Sequence, residues 1–273
     1  MFVALVLVSG CSIIGGLIPL QPQINCEEEI AKLPQIIEEN QGRIFTVMKI
    51  LDGDTVQLVN GDKVRFVGIN TPEKGLKWSA EAAQLTTKLS ENGIMLARDV
   101  EDKDQYGRLL RYAFTEDKFI NAELVRQGLA TIYPVEPNTK YSTLFSCLEQ
   151  EAKKNKRGLW SSTANYNIKL EVSYDAPGND NENLNGEFVI IKNEDARTIN
   201  IDKWSIKDQA THFYYFKNIS LEPNMQIILY TGSGIDTKTE LYWNSKEPIW
   251  NNAGDTAFLF DENGDLVTLI SFP

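Results

Sequence analysis

The feature that most constrains the fold is a change of pattern near residue 162. Residues 43–162 hold five short strand-like runs, at 44–51, 55–58, 64–69, 94–100 and 109–114. Helical patterns at 79–89, 121–127 and 143–156 lie among and after them, and a glycine follows each within a few residues, as at helix ends. Asn60-Gly61-Asp62 is a strong hairpin turn. Five strands with helices inserted late predict a five-stranded Greek-key barrel of the oligonucleotide-binding type.

Residues 166–273 read as strands and turns alone. The strand-like runs are at 168–172, 187–191, 225–230, 257–260 and 266–270, separated by turns such as Asn185-Gly186 and Glu262-Asn263-Gly264. Short strands at this spacing predict a β-sandwich. The polar stretch Ser161 to Asn165 would link the two domains, so the chain as a whole is expected to be mainly β with some α-helix.

The first 42 residues differ from both domains. Val8-Ser9-Gly10-Cys11 follows an apolar run and resembles the lipobox of exported prokaryotic lipoproteins, in which the cysteine is lipidated. Residues 1–20 are therefore expected to be a lipoprotein-type signal that anchors the protein to the cell-surface membrane through Cys11. An uncleaved anchor, a plain apolar tail and a secreted protein are the alternatives. Residues 21–42 are acidic and contain two prolines, which favours a spacer with room for one short helix.

Two further cysteines allow two interpretations. An exported chain could join Cys26 and Cys147 in a disulfide that ties the N-terminal arm to the first domain. The pair could equally be two unrelated thiols, because sequence alone gives no distance between them.

The charges and the single histidine limit the chemistry. The formal net charge is -11. It is uneven: residues 43–162 carry 18 basic against 16 acidic side chains, whereas residues 163–273 carry 8 against 17. Only the first domain could approach a polyphosphate easily. His212 is the one histidine, which excludes a Ser-His-Asp triad and a histidine-rich zinc site. Hydrolysis would have to use carboxylates, arginines, amides and a hard metal ion.

Polar residues gather where the predicted barrel strands end. Asp54, the Asn70 amide and the Thr71 carbonyl are hard oxygen ligands that suit Ca²⁺. Glu73 could then act as general base on a water molecule. Arg65 and Arg108 could clamp a phosphate and stabilise its transition state. Taken singly, each residue is better explained as a turn or a surface charge. Their joint occurrence in one barrel favours a phosphodiesterase site.

Five segments in order carry a family resemblance. They are Ile50 to Val56, Val64 to Glu73, Asp104 to Arg108, Asn121 to Ala130 and Arg157 to Trp160. Residues 43–162 resemble the thermonuclease, or staphylococcal nuclease, family across the whole domain. The resemblance implies an endonuclease that hydrolyses phosphodiester bonds of DNA and RNA and leaves 3′-phosphate products. It also implies Ca²⁺ as cofactor, Asp54 as ligand, Glu73 as base, Arg65 and Arg108 as phosphate clamp, and Tyr106 and Tyr133 as substrate contacts.

The sequence departs from the family pattern at two positions. Asn70 stands where the family usually has a second aspartate, and Gln105 stands where lysine is common. Losing one negative ligand should weaken Ca²⁺ binding, since ligand charge is a main determinant of affinity. We therefore expect a working nuclease that needs more calcium.

The second domain resembles a different family. Residues 166–273 resemble the lamin-tail domain, an immunoglobulin-like β-sandwich, through segments such as Tyr174 to Asp180 and Ile249 to Asp255. The resemblance implies an accessory binding role for an unknown partner and no catalysis. Trp204 and Trp250 are expected in its core, and His212 is expected to be structural or exposed. We expect the protein to be a monomer; the alternative to the enzyme is a non-catalytic nucleic-acid-binding surface protein.

Overall fold

The computed structural model describes residues 24–162, 166–210 and 212–272. Cys11 and the apolar run around it lie outside these residues. The described part has two hydrophobic cores, one within residues 33–148 and one within 168–259. It is mainly β with some helices, as predicted.

The first domain begins with two short helices and then forms its strands. Its helices are α1 (Cys26–Ala31), α2 (Leu33–Glu39), α3 (Ser79–Leu89), α4 (Ile120–Arg126) and α5 (Ser142–Lys154). Its strands are β1 (Ile44–Phe45), β2 (Val47–Ile50), β3 (Thr55–Leu58), β4 (Lys63–Phe66), β5 (Gly68–Asn70), β6 (Ile94–Ala97), β7 (Leu109–Phe114) and β8 (Thr131–Tyr133).

The structure is consistent with the predicted barrel. The single strand predicted at 44–51 supplies both edge strands of the sheet. The strand order is β1-β6-β7-β4-β3-β2, with β4 and β7 parallel. Strands β1 and β2 are two parts of the single run predicted at 44–51, and they pair with β6 and β3 respectively. The two edge strands of the sheet, β1 and β2, are therefore consecutive in the chain, so the sheet curls back toward itself. This arrangement is consistent with an oligonucleotide-binding fold.

The N-terminal arm is more ordered than a spacer. The sequence allowed one short helix here, and the structure has two. Leu33 is buried, and Ile30, Ile36 and Ile37 pack against the barrel core. A disulfide joins Cys26 to Cys147 on α5, with the two Cα atoms 5.1 Å apart. The first of the two interpretations of these cysteines is thus the one that the structure contains.

Helix ends were predicted to within about two residues. Helix α3 has the predicted bounds, and its N-cap is Trp78, which has a positive φ of 71°. Helices α4 and α5 each begin one residue earlier than predicted. Gly128 lies just beyond α4 with φ of 69°, and an added Cβ there would meet the Arg157 carbonyl oxygen.

The second domain consists of strands joined by turns and loops. The strands are β9 (Ile168–Ser173), β10 (Phe188–Asn193), β11 (Ile199–Asn200), β12 (Ser205–Lys207), β13 (Phe213–Tyr215), β14 (Ser220–Leu221), β15 (Gln226–Tyr230), β16 (Glu240–Tyr242), β17 (Asp255–Phe260) and β18 (Leu266–Phe272). They form four-stranded sheets in the orders β16-β15-β10-β9 and β13-β12-β17-β18, with β11 and β14 as a separate pair. This is consistent with an immunoglobulin-like domain.

The core of the second domain holds both expected tryptophans. Trp204 is fully buried and Trp250 nearly so, which confirms the prediction for each. The Trp204 indole nitrogen donates to Glu262 Oε2 at 2.8 Å. A third, smaller cluster joins the domains: Leu159, Trp78 and Trp160 of the first contact Phe258, Phe260 and Leu266 of the second.

Candidate active site between the two domains

The turn before β3 is built to lie against a helix. Leu51 N–H donates to Thr55 O, and Asp54 N–H donates to Asp52 Oδ1 at 3.0 Å. Helix α3 covers the turn, and the Thr86 hydroxyl donates to Gly53 O. A Cβ on Gly53 would lie 2.6 Å from the Ala82 Cβ, so only glycine fits. The Asp-Gly-Asp turn is thereby fixed to the helix.

Asp54 connects this turn to the end of β5. Its side chain is buried, and its Oδ2 accepts hydrogen bonds from the Thr71 backbone N–H at 2.7 Å and the Thr71 hydroxyl at 3.0 Å. Its Oδ1 accepts from the Thr55 hydroxyl at 3.1 Å and lies 3.2 Å from Arg65 Nε. Both oxygens of this buried carboxylate therefore face donors.

Arg65 joins the two side chains expected to bind metal. Besides the ion pair to Asp54, its guanidinium donates to Asn70 Oδ1 at 2.9 Å and to Phe66 O at 2.5 Å. The oxygens of Asp54 and Asn70 thus converge on one cationic group. Arg65 holds the loop that carries Asn70 and Thr71, in addition to facing the cleft.

A second carboxylate stands beside Asp54. Burial raises the pKa of Asp52 to about 6, and the negative charge of Asp54 contributes in the same direction. The turn therefore concentrates negative charge at the back of the site.

The loop before β7 positions Arg108 and Tyr106. Asp104 Oδ1 accepts the backbone N–H groups of Tyr106 and Arg108, each at 2.9 Å, and its Oδ2 accepts from Arg108 Nε at 2.6 Å. The Arg108 guanidinium carbon lies 5.5 Å from the centre of the Tyr106 ring, which is 75% exposed. Asp104 orients Arg108, a role that sequence reasoning missed. The spacing of four residues between Asp104 and Arg108 is the sequence feature that could have indicated this contact.

One cleft collects six of the predicted site residues. A cavity of about 740 Å³ is lined by Arg65, Asn70, Glu73, Tyr106, Arg108 and Tyr133. Asp54 is buried behind it, and Thr71 lines a smaller neighbouring cavity together with Asn70. Burial raises the pKa of Tyr133, and the charge of Asp255 adds to this. Cys11, the predicted lipidation site, lies outside the described residues.

The second domain forms the opposite wall of the same cleft. Asp208, Gln209, His212, Asn251 and Asp255 line the cavity alongside the first-domain residues. His212 was expected to be structural or exposed; its Nδ1 is 2.6 Å from Asp208 Oδ2. No pattern in the sequence could have placed these residues in the site, because the docking of one domain on the other puts them there.

A buried lysine of the second domain lies near the base expected at Glu73. Lys207 donates from Nζ to Ala210 O at 3.1 Å, with the rings of Phe213 and Phe258 5.5 and 5.6 Å away. Burial lowers the pKa of Lys207, while the charges of Glu73, Asp208 and Asp255 oppose that shift. The second domain thus brings one cation close to Glu73.

The donor set at the turn fits a calcium ion. Within residues 24–162, 166–210 and 212–272, no group of three or more His, Cys, Asp or Glu side chains could hold a metal. Ca²⁺ also accepts amide, backbone carbonyl and water oxygens, which Asn70 and the Thr71 carbonyl supply. Asp54 Oδ1 and Asn70 Oδ1 contact Nε and Nη2 of Arg65 respectively, so two such oxygens already lie around one cationic group.

The described part of the chain also lacks a helix long and apolar enough to cross a membrane.

Comparison with known proteins matches both domains. A family model described as staphylococcal nuclease homologue matches residues 63–162, and the Lamin Tail Domain model matches residues 161–273. Endonuclease YncB of Bacillus subtilis is 34% identical over 155 residues, which are 52% of this chain and 72% of the relative. A thermonuclease of Staphylococcus intermedius is 32% identical over 131 residues, 44% of this chain and 77% of the relative. The prophage-derived endonuclease YokF of Bacillus subtilis is 37% identical over 128 residues, but only 43% of its length is covered.

Proposed function

This chain belongs to the staphylococcal nuclease family, and we propose that it is a calcium-dependent endonuclease that hydrolyses phosphodiester bonds of DNA and RNA. The observation that carries the proposal is the meeting of Arg65, Glu73 and Arg108 in one cleft, with Asp54 and Asn70 at its back. A module that only bound nucleic acid would need the cations, but it would not need a carboxylate base among them.

Each side chain has a definite task in this reaction. Glu73 takes a proton from the attacking water, whose oxygen forms the new bond to phosphorus. The bond from phosphorus to the 5′-oxygen breaks, the 5′-oxygen takes a proton from solvent water as it leaves, and the phosphate stays on the 3′-oxygen. Glu73 then releases its proton to solvent. Arg108, held by Asp104, and Arg65, held by Asp54, face the phosphate and stabilise the charge that develops on it. Asp54, Asn70 and the Thr71 carbonyl would hold Ca²⁺, which neutralises phosphate charge when bound.

Asn70 sets the calcium requirement in this proposal. An amide oxygen replaces a carboxylate, so the site has one negative charge less and binds Ca²⁺ more weakly. Asn70→Asp should lower the calcium concentration needed for half-maximal cleavage by roughly 10-fold, since ligand charge strongly tunes Ca²⁺ affinity. An unchanged calcium requirement would remove Asn70 from the metal site.

The decisive experiment compares two carboxylates that line the same cleft. Glu73→Gln should lower kcat on single-stranded DNA by about 10²- to 10⁴-fold at saturating Ca²⁺, the usual effect of losing a general base. Glu101→Gln is the matched control, because Glu101 lines the cavity but has no assigned task. Equal activity of Glu73→Gln and the parent would disprove the mechanism. A parent protein that binds DNA but leaves it intact at every calcium concentration would favour the non-catalytic alternative.

We further propose that the protein is exported and held at the cell surface by lipidated Cys11, as a monomer. The disulfide between Cys26 and Cys147 supports export, because such bonds persist mainly in oxidising compartments. Expression with a radiolabelled fatty acid should label the parent but not Cys11→Ser, and the variant should appear in the medium. A labelled Cys11→Ser protein would refute the anchor, and sedimentation of the released form would show whether it is monomeric.

A further inference from the structure

One face of the sheet β13-β12-β17-β18 is lined by aromatic rings. Lys207 on β12 pairs with Phe213 on β13 and with Phe258 on β17. Two residues away, Ser205 pairs with Tyr215 and with Phe260. Paired residues of neighbouring strands, and residues two apart on one strand, point to the same side of a sheet. The four rings therefore share one face, whereas Ile206 and Leu259 are buried in the core on the other side.

The first domain covers only part of this aromatic face. Phe258 and Phe260 pack against Leu159, Trp78 and Trp160 at the junction between the domains. Strand β13 is the edge strand beyond them. There the Tyr215 ring is 57% exposed and Phe213 is half-buried. The Phe213 and Tyr215 ring centroids lie 5.8 Å apart and the ring planes are parallel to within 14°, so the rings are stacked, with Tyr215 as the more exposed of the two. We call these two residues the aromatic edge.

The aromatic edge begins where the catalytic cleft ends. His212 lines the cleft together with Arg65, Glu73 and Arg108, and Phe213 is the next residue in the chain. Asp208, Gln209 and Ala210 on the same hairpin line the cleft as well. The aromatic edge therefore adjoins the cleft at His212.

We propose that Phe213 and Tyr215 form a stacking platform for the bases of a single-stranded stretch of the substrate, next to the phosphate that is cut. This inference rests on the proposed nuclease function and adds to it a base contact outside the cleft. Unpaired bases stack on flat aromatic side chains with little regard to sequence. Bases in a duplex are stacked on each other and cannot reach a protein ring without leaving the helix.

The test measures binding and cleavage with Tyr215 changed. In a Glu73→Gln background with Ca²⁺, a labelled 12-nucleotide thymidine oligomer should bind Tyr215→Ala between about 5- and 150-fold more weakly than the background, the range for one base stacked on one ring. Tyr215→Phe keeps the ring and should bind as the background does. Tyr242→Ala is the matched control, because Tyr242 and Tyr230 form a similar parallel pair on the other sheet, 5.2 Å apart.

Cleavage separates this proposal from the nuclease function. With Glu73 intact, Tyr215→Ala should lower kcat/KM for the 12-nucleotide substrate by the same factor and leave a dinucleotide substrate unaffected. Equal binding by Tyr215→Ala and the background, or equal loss in Tyr242→Ala, overturns the platform. So does a parent that sediments as a dimer which Tyr215→Ala breaks, since the edge would then be a dimer interface. Weaker binding by Tyr215→Ala in a protein that cuts nothing keeps the platform and refutes the nuclease.

Discussion

Carboxylates stand on both sides of the cleft between the domains, Asp54 buried behind the barrel wall and Asp255 on the sandwich wall, but their partners differ in kind. On the barrel wall, Asp54 is held by side chains as well as backbone: Arg65, Thr55 and Thr71 all reach it. On the sandwich wall, Asp255 is held by backbone N–H groups, those of Gln209 at 2.9 Å, Asn251 at 3.1 Å and Thr256 at 2.7 Å.

Under the proposed mechanism, this difference separates a reactive wall from a supporting one. Side-chain partners such as Arg65 can turn toward a phosphate or a metal ion while the backbone stays in place. Backbone partners cannot leave without unfolding their loop, so Asp255 fixes the shape of the loops that line the cleft. Burial raises the pKa of Asp255, and its backbone donors act against that shift. Whether an acidic residue beside a cleft is reactive or structural is therefore better inferred from its hydrogen-bond partners than from its position.

The largest effect should come from Arg65, the cation that joins Asp54 to Asn70. Arg65→Lys should lower kcat on single-stranded DNA by about 10³-fold or more, a loss typical of arginines that stabilise phosphoryl transition states. A lysine has no planar fork, so it cannot reach Asp54, Asn70 and the Phe66 carbonyl together. Rates at saturating Ca²⁺ and substrate would measure this.

The opposite wall provides the control for Arg65. His212→Gln changes a cleft residue paired with Asp208 and should alter kcat by less than about 3-fold, because its partner is structural. A loss in His212→Gln as large as in Arg65→Lys would mean that both walls take part in the chemistry.

The contrast between the barrel wall and the sandwich wall also explains which site residues could be predicted from the sequence. The barrel site comes from short segments whose turns are encoded locally, so Asp54, Arg65, Asn70 and Glu73 could be assigned to one site from the sequence alone. The barrel strands were found as well, except that β8 was missed because it has only three residues, Thr131–Tyr133.

The sandwich wall could not be predicted, since it depends on how the second domain packs against the first. Leu159 meets Phe258 and Leu266 across the domain boundary, and no local pattern records which surfaces meet. Strand β13 is different: the run Phe213-Tyr214-Tyr215-Phe216 has high β-propensity and could have been identified. The second helix of the arm was missed because Pro34, taken as a break, lies in the first turn of α2, where proline is tolerated.

The disulfide should stabilise the barrel and leave the sandwich unchanged. The bond between Cys26 and Cys147 closes a loop with a sequence separation of 121 residues, and such loops are worth about 3–5 kcal/mol on an entropic account. The second domain contains no cysteine. In scanning calorimetry, Cys26→Ala should lower the barrel transition only. Dithiothreitol should reproduce the shift in the parent and add nothing in the variant; a matching fall in the sandwich transition would show that the domains unfold together.

Removing the supporting carboxylate should destabilise the sandwich. Asp255→Ala leaves the backbone N–H groups of Gln209, Asn251 and Thr256 without their acceptor. Each N–H group that remains buried without a new acceptor should cost about 1–3 kcal/mol of stability. Water entering the gap will satisfy some of them, so we expect a loss of about 3 kcal/mol. Urea unfolding followed by tryptophan fluorescence would report it through Trp204 and Trp250. Glu222→Ala, which removes an exposed carboxylate of the same domain, is the control; an equal loss there would contradict the distinction.

The smallest effect should come from the ion pair between Lys77 and Asp265. Among the described residues it is the one ion pair that joins the two domains. Lys77 Nζ lies 2.5 Å from Asp265 Oδ1, but the lysine side chain is 39% exposed, and such pairs contribute about 0.2–1 kcal/mol. A double-mutant cycle with Lys77→Met and Asp265→Asn should give a coupling energy in that range, and about 1 M salt should abolish it. Leu266→Ala should cost about 2–3 kcal/mol at any salt concentration, because Leu266 is buried against Leu159 and Phe258. A larger loss for the ion pair than for Leu266 would mean that charge, and not apolar burial, holds the sandwich wall over the cleft.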